Sequence, residues 1–293
     1  MKTLETAYKY LLELVQSFLS IIKILILSKF NVRLPEINSN TDCVILANGP
    51  SLNDSLRNEL SIILNRKKFC VNHFVFSDQY TVIKPDYYVL AAPEFWIEKP
   101  TDWHIQMRNK VQTDLIQKTD WSMILFLPHN ARRNKLWNEL ELKNGNIRTV
   151  YFNNTPLEGL KTVNHLLFNM NLGMPRPHNV LVPTLFLALK MGFKNVVLFG
   201  ADHSWHEEIR IDESNQLTVN HEHFYDKSKQ IMPMYKLDGK EYYLHDVFRK
   251  LHLAFKGYFV LKEYADYLGS KILNASKKSY IDAFEKIKLS SEE

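Results

Sequence analysis

The sequence predicts an α/β protein with a Rossmann-like parallel sheet and helices on both of its faces. Short apolar runs rich in β-branched residues recur along the chain, and such runs are typical of strands buried on both faces. Helical segments alternate with these runs, which is the pattern of a parallel sheet. With 293 residues, of which 45% are hydrophobic, the chain is long enough to bury one large α/β core.

Charge and cysteine content narrow the classes of function. The formal net charge is +5, and no long Arg/Lys block or nucleic-acid-binding motif is present, so we expect no nucleic acid partner. A mildly positive charge suits an anionic small substrate or an anionic membrane surface. The two cysteines, Cys43 and Cys70, lie within predicted strands. They predict a reducing compartment rather than a disulfide scaffold.

Residues 1–30 form a strongly apolar segment with a helical pattern. Polar side chains interrupt it, so an unbroken membrane span of about 20 apolar residues is absent. The interrupting residues are Glu13, Gln16, Ser17, Ser20 and Lys23, and Lys2, Lys9 and Lys29 add positive charge. We predict an amphipathic membrane-associating helix, so that the protein is cytoplasmic and peripheral to the inner face of the cell membrane. Packing against the rest of the protein or a second copy is the alternative.

Residues 31–42 are predicted to be a linker, and residues 43–293 the Rossmann-like domain. The first predicted strand covers 43–47 and leads into the turn Asn48, Gly49, Pro50 and Ser51. Ligands of open α/β sheets bind at the carboxyl ends of strands, where this turn is expected to lie. Glycine permits close backbone approach, and the short polar side chains can hydrogen-bond a nucleotide. A capped strand-to-helix turn without a ligand explains the same residues.

The remaining elements follow in order. A helix is predicted over 54–67, and strands over 69–72, 87–91, 123–127, 148–152 and 195–199. Thr184 is predicted to cap the helix that Gly192 ends. Asn72 ends the second strand, and Gly200, Asp202, His203 and Ser204 leave the end of the strand 195–199. These positions are site candidates because they share one edge of the sheet.

Residues 205–243 carry no core pattern, and we predict that this polar insertion is a lid over the crevice. A long helix over 244–268, a strand over 271–274 and a terminal helix over 280–287 complete the chain. The insertion and its approach hold side chains of metal-ligand type, namely Asp202, His203, His206, Glu207, His221 and His223. Because their spacing matches no known ligand spacing, we predict no metal site.

The order of these motifs resembles the bacterial sialyltransferase family that uses CMP-sialic acid, a glycosyltransferase family 42-like group. It is more loosely similar to proteins described as 6-hydroxymethylpterin diphosphokinase-like. The resemblance rests on residues 47–52, on the strand end 71–74, and on the helix, Gly192 and strand that lead to 200–202. It covers roughly residues 42–285 in outline.

The resemblance implies a metal-independent, cofactor-free glycosyltransferase of surface polysaccharide synthesis. It would move sialic acid or a related acid from a CMP-sugar to an acceptor glycan, free or lipid-linked. The resemblance implies nucleotide binding by Asn48 and Asn72, with Gly49 and Ser51 alongside. We add Pro50, Thr184 and Gly200 as nucleotide-binding candidates from their places in the predicted elements. The family has tyrosines that stabilise the phosphate, and Ser204, Tyr225 and Tyr242 are the candidates to replace them here. The resemblance also implies a histidine as general base, matched first by His245 and second by His252, while Asp202 and His203 stay candidates through their place at a strand end.

Two other functions stay open at this point. A magnesium-dependent, diphosphokinase-like phosphotransferase would use acidic ligands such as Asp202. A non-catalytic nucleotide-binding assembly protein would dock on the membrane through residues 1–30. A homo-oligomer is compatible with all three functions.

Overall fold

The computed structural model describes residues 2–37, 41–221, 224–225, 230–233, 236 and 240–289. The strands are β1 (Cys43–Leu46), β2 (Lys67–Val71), β3 (Tyr87–Val89), β4 (Met123–Pro128), β5 (Ile147–Phe152), β6 (Asn195–Phe199), β7 (Ile209–Ile211), β8 (Leu217–His221), β9 (Gln230–Pro233), β10 (Lys271–Asn274) and β11 (Glu285–Lys286). The α-helices are α1 (Lys2–Leu27), α2 (Leu52–Asn58), α3 (Leu60–Leu64), α4 (Gln79–Ile83), α5 (Asp102–Lys118), α6 (Lys135–Asn138), α7 (Leu140–Lys143), α8 (Lys161–Asn169), α9 (Leu181–Met191) and α10 (Leu244–Leu268).

The main sheet has eight strands in the order β11, β10, β6, β1, β2, β3, β4, β5, and all its pairs are parallel. Helices lie on both faces, so the structure confirms the predicted Rossmann-like α/β fold. The central strand β1 is fully buried, which explains its unbroken apolar sequence. The chain moves outward from β1 to β5 and then returns to β6 on the other side of β1. This reversal is a topological switch point, where open α/β sheets bind their ligands.

Three predictions about helices are wrong. The helix expected over 54–67 is two short helices, α2 and α3, interrupted at Glu59. The helix α9 begins before Thr184, so this residue does not cap it. The terminal helix over 280–287 is replaced by an extended segment that includes β11. There, Tyr280 N donates to Asp202 O and Ile287 N donates to Asn274 O, so contacts with distant residues replace helical hydrogen bonds.

The insertion after β6 is folded in its described part. The strands β7, β8 and β9 form a separate antiparallel sheet. Beyond β8, Phe224 is buried and binds the turn that follows β1, because Phe224 N donates to Asn48 O and Asn53 Nδ2 donates to Phe224 O. The insertion is therefore attached to the carboxyl edge of the main sheet.

The N-terminal helix α1 packs on the domain through a narrow polar stripe. Ser17, Ser20, Ile24 and Ser28 recur at helical spacing and are buried. The Ser20 hydroxyl donates to Glu158 O at 2.8 Å, and the Ser28 hydroxyl donates to Leu172 O at 2.6 Å. Leu4–Leu27 is long and apolar enough to cross a membrane, and only 17% of its most apolar window is buried. The apolar sides of α1 thus face outward.

Gly159 allows its loop to approach the backbone of α1 closely. It has a φ of +117°, and a Cβ atom there would overlap Ser17 and lie 2.6 Å from Glu13 O. The loop thus packs directly on the backbone of α1, and only glycine fits.

We expect Gly159→Ala to lower the free energy of unfolding by at least about 1 kcal/mol, because alanine is strained at positive φ and would push α1 away. Chemical denaturation measures the loss, and hydrogen exchange of α1 amides reports the loosened contact. Gly145→Ala is the matched control, because an added Cβ there meets no atom within 4 Å. Equal effects of the two substitutions would contradict this account of the docking.

Candidate functional site

A cleft of about 180 Å³ opens at the switch point of the sheet. The residues that line it come from the ends of β1, β2 and β6, from the start of α9, and from the turn that follows β6. Eight of the predicted site residues line this cleft: Asn48, Gly49, Pro50, Asn72, Gly200, Asp202, His203 and Ser204.

The turn after β1 is tied to the end of β6. Gly49 N donates to Gly200 O at 2.9 Å, and Ser51 N donates to one carboxylate oxygen of Asp202 at 2.9 Å. The Ser51 hydroxyl donates to the other oxygen of this carboxylate. A Cβ on Gly49 would lie 2.5 Å from Gly200 O, so the close approach requires glycine. Asp202 therefore braces the turn, and burial raises its pKa although the Ser51 hydrogen bonds act in the opposite direction.

Asn48 and Asn72 face the cleft with unused hydrogen-bonding capacity. The Asn48 amide nitrogen donates to Val71 O at 3.3 Å, but its Oδ1 is shielded from solvent and has no partner among the described residues. The same is true of the Oδ1 of Asn72. Asn72 also has a φ of +49°, and strained backbone of this kind is concentrated at binding sites.

His203 is held by a chain of hydrogen bonds that begins at α9. Asn179 Oδ1 accepts from Val182 N at 3.1 Å, which directs its amide nitrogen to the Tyr258 hydroxyl at 2.8 Å. That hydroxyl accepts from Asn179 and can donate its own proton to His203 Nε2, an assignment that pairs every group of the chain. The neutral imidazole then carries its hydrogen on Nδ1. His203 also has a φ of +54°, a second left-handed residue in the cleft lining.

Burial keeps the His203 ring uncharged. It lowers the pKa of His203 from 6.5 to about 3, so the ring is neutral at physiological pH. A ring with this pKa is a weak general base, but its Nδ1–H is a hydrogen-bond donor. The geometry therefore favours a donor role for His203 over the base role that was one expectation from the sequence.

Positive charge lies beside the cleft at the residues before Asn179. The pKa of His178 is lowered mainly by desolvation, and then by the charges of Arg176, Lys250 and Arg249. Arg176 is paired with Glu158, whereas Lys250 contacts the Tyr242 ring at 4.1 Å. These side chains give the rim a positive field that suits an anionic ligand.

The two histidines proposed as general base lie away from this cleft. The His245 side chain is 80% exposed, and His252 is also exposed. Each precedes a buried residue of α10 by two positions, Val247 and Ala254, and two positions rotate a helix by about 200°. Their seven-residue spacing places both on one helical face, but that face points to solvent. His245 and His252 are therefore not part of the described cleft lining, and a base role for either of them stays a prediction.

Four further predicted residues are not part of the cleft lining, and the first of them, Ser51, binds Asp202 instead. Thr184 is fully buried, and its hydroxyl donates to Val180 O within α9, so it cannot bind a nucleotide there. Tyr242 contacts Lys236 and Lys250. Tyr225 packs against Phe224 in the insertion. The phosphate-stabilising assignment to Tyr225 and Tyr242 is not supported by this arrangement, while Ser204 lines the cleft.

The predicted cluster of metal-ligand side chains is dispersed. Glu207 contacts Lys278 and Tyr280, and the ring of His206 also packs on Tyr280. The His221 side chain and all of His223 lie outside the described residues. Within the described ranges, no three His, Cys, Asp or Glu side chains are grouped to hold a metal ion.

Four residues of the site were not selected from the sequence. Trp205 and Glu208 line the cleft just after the predicted strand end, and their position in the insertion was the available signal. Asn179 precedes an apolar helix and has a residue type typical of helix N-termini. Tyr258 carries no such signal, because it is one of many buried residues on α10.

The chain matches no protein-family model and no curated protein. Among solved structures it is similar to the MAf glycosyltransferase from Magnetospirillum magneticum AMB-1, with a TM-score of 0.48 and 11% sequence identity. The similarity covers 93% of this chain and 38% of that protein, so it spans little more than a third of the larger structure. A similarity of this strength assigns no activity.

The low pKa of His203 predicts a pH-dependent loss of stability. Its folded value of about 3 lies below the ordinary 6.5, so protons bind the unfolded chain first. The contribution of the neutral His203 to the free energy of unfolding is complete above pH 6.5 and is lost as the pH falls toward 3. Between pH 7 and pH 5 the loss is about 2 kcal/mol.

Replacing His203 with glutamine should remove this pH-dependent contribution to the free energy of unfolding. We expect the difference in free energy of unfolding between the native chain and His203→Gln to fall by about 2 kcal/mol from pH 7 to pH 5. Urea denaturation at the two pH values measures it. His245→Gln, which changes an exposed histidine, is the matched control. A difference that does not change with pH would contradict the buried neutral state of His203.

Proposed function

We propose that the protein is a glycosyltransferase that binds a nucleotide sugar in the cleft at the switch point. The observation that carries the proposal is the pair of amides, Asn48 and Asn72, whose oxygens are buried without a partner among the described residues. An unsatisfied buried group costs about 1–3 kcal/mol. The hydroxyl and amino groups of a nucleoside are donors that would remove this cost. These are also the two residues that the resemblance to CMP-dependent sialyltransferases implies for nucleotide binding.

The size of the cleft indicates which part of the donor it would hold. Its volume of about 180 Å³ is below the about 300–1,000 Å³ of typical ligand pockets. It therefore suits a nucleoside with its phosphate, and the sugar would extend toward the insertion. Phe224 already binds the turn at Asn48, so the insertion is attached next to the bound nucleotide. We propose that it acts as the lid that excludes water during transfer.

Departure of the nucleotide leaves negative charge on a phosphate, which hydrogen-bond donors can stabilise. The neutral ring of His203 offers its Nδ1–H, since Tyr258 engages Nε2. The N-terminus of α9 is at the same cleft, and the positive end of its dipole favours an anion, although Val182 N is bound by Asn179 and Pro183 has no N–H. The positive rim near His178 adds to the attraction. Our proposal therefore assigns phosphate stabilisation to His203 rather than to tyrosines.

Transfer also needs a base for the acceptor hydroxyl. Asp202 and Glu208 are the carboxylates in the described cleft lining, and both oxygens of Asp202 are engaged by Ser51. We assign Glu208 as the base because it lines the cleft at the start of the insertion, toward which the sugar would extend, and Asp202 as the brace of the turn. The acceptor oxygen would attack the anomeric carbon of the sugar and lose its proton to Glu208. The bond from that carbon to the phosphate oxygen would break, leaving a nucleoside monophosphate.

For the donor we propose a CMP-sugar of sialic acid or a related acid. For the acceptor we propose a glycan, free or lipid-linked, in the synthesis of a surface polysaccharide. In this proposal the reaction needs no metal. We place the protein at the inner face of the cell membrane, with α1 as the contact, because its large apolar side chains are exposed over most of its length.

Nucleotide binding should depend on the cleft amides. Asn48→Ala and Asn72→Gly are each expected to weaken CMP binding by about fivefold, the equivalent of one hydrogen bond of about 1 kcal/mol. Glycine is chosen at Asn72 because it tolerates the φ of +49°. Thermal-shift titration with CMP, UMP and GMP measures the change, since a ligand of the folded state raises its stability.

His252→Ala is the control for these titrations, because that side chain is exposed and outside the cleft lining. If none of the nucleotides stabilises the protein, the proposed binding site is overturned. The same holds if CMP stabilises the two amide variants as much as the native chain.

Catalysis should depend on His203 and Glu208. With a CMP-sugar in EDTA, His203→Asn and Glu208→Gln are each expected to lower kcat by about 10²-fold or more, since each removes a donor or a base. Asparagine is chosen because it accepts left-handed backbone. His245→Ala and His252→Ala should retain full turnover. Loss of activity in either of these variants would return the base role to α10, and strict Mg²⁺ dependence with ATP consumption would instead favour phosphotransfer.

A further inference from the structure

The side chains of α1 that point away from the domain form a broad apolar surface. Large residues such as Leu11, Phe18, Leu25 and Ile26 are between 58% and 74% exposed. Ile26 lies opposite Ser17, which is buried against the domain, while Leu11, Phe18 and Leu25 lie about 80–120° around the helix from it, so apolar side chains cover about half of the helix circumference. A second helix would cover only a narrow stripe of this surface, whereas a lipid bilayer would cover all of it.

The position of α1 on the domain is fixed by contacts at its C-terminal end. Lys29 N donates to Asn153 Oδ1 at 2.9 Å, and Asn153 Nδ2 donates back to Lys29 O at 2.7 Å. Asn153 directly follows β5, at the carboxyl edge of the main sheet. Together with the serine contacts, these bonds attach α1 to the same edge of the sheet that carries the cleft.

A group of positive side chains lies at this end of α1. The cationic cluster, as we call it, consists of Lys29, His129, Arg132 and Arg133. The last three follow β4 in a 3-10 turn, next to the end of β5. The pKa of His129 is lowered mainly by desolvation, and also by the charges of Lys29, Arg132 and Arg133, which lie near enough to act on it.

The cluster has exposed cations without counter-charges. Lys29, Arg132 and Arg133 are exposed, and none of them forms a salt bridge with the described residues. Arg132 instead lies over the Tyr151 ring at 5.6 Å. A surface that combines exposed apolar side chains with unpaired cations is complementary to a bilayer with anionic head groups.

We propose that the apolar face of α1 and the cationic cluster form one docking surface for a bilayer that contains anionic phospholipid. Because α1 is bound to the domain, this surface sets the orientation of the protein as well as its location. The carboxyl edge of the sheet, with the cleft, then lies beside the membrane, where a lipid-linked acceptor would be presented. The inference rests on the proposed membrane location but does not depend on transferase activity.

Vesicle flotation of the full chain tests the proposal. Vesicles of phosphatidylcholine are compared with vesicles in which part of this lipid is replaced by phosphatidylglycerol. Each cation near an anionic surface contributes roughly fivefold to the partition coefficient. The double substitution Arg132→Gln/Arg133→Gln is therefore expected to weaken binding to anionic vesicles by roughly 25-fold, with little effect on neutral vesicles.

The matched control is Lys194→Gln/Lys271→Gln, which makes the same change in net charge at the amino ends of β6 and β10, on the side of the sheet opposite the cleft. Equal binding of the control and the arginine variant to anionic vesicles would overturn the role of the cationic cluster. A second pair, Phe18→Ser/Leu25→Ser, should weaken binding to both kinds of vesicle.

A dimer in solution that this serine variant dissociates, without any loss of vesicle binding, would assign the apolar face to a second copy and overturn the proposal. CMP thermal shifts on the same variants report on the cleft separately. Flotation and nucleotide binding can thus fail independently, so a failure of the docking surface is distinguishable from a failure of the proposed transferase function.

Discussion

One buried carboxylate joins the two strands between which the chain reverses direction. Asp202, at the end of β6, accepts from the backbone and the hydroxyl of Ser51, beyond the end of β1. The contact is close enough to require glycine at position 49. Every other feature of the cleft depends on this tie, because it fixes the turn that carries Asn48 and the loop that carries His203. The carboxylate of Asp202 therefore has a structural role, which is to hold this turn in place.

The same tie occupies the carboxylate of Asp202, because Ser51 binds both of its oxygens. The side-chain oxygens of Asn48 and Asn72 have no partner among the described residues, and His203 is neutral because burial disfavours its charged form. Positive side chains lie at the rim rather than at the bottom. In the proposed function, this distribution would attract an anionic ligand from solution and bind it through oriented dipoles, which lose less on desolvation than buried ions do.

The N-terminal helix reverses the usual arrangement of an amphipathic helix on a globular domain. Serines form its contact with the protein, and large apolar residues face outward. Hydrogen bonds to loop carbonyls satisfy the buried hydroxyls, so the polar stripe can pack closely while the apolar surface stays available. The contact between the end of α1 and the domain is next to the end of β5. The proposed membrane-facing helix therefore meets the same carboxyl edge of the sheet that carries the cleft.

The sequence alone determined β1 to β6, β10 and the turn at Asn48 to Ser51, because short apolar runs and small-residue turns are local signals. It could not show which of His203, His245 and His252 lines the cleft, since helical spacing gives a shared face but not the direction in which that face points. It also could not show that the side chain of Asn179, rather than that of Thr184, accepts a backbone hydrogen bond at the start of α9. Nor could it show that residues 280–287 are extended. Only the tertiary structure decided these points, because each depends on a hydrogen bond or burial contact with residues distant in the chain.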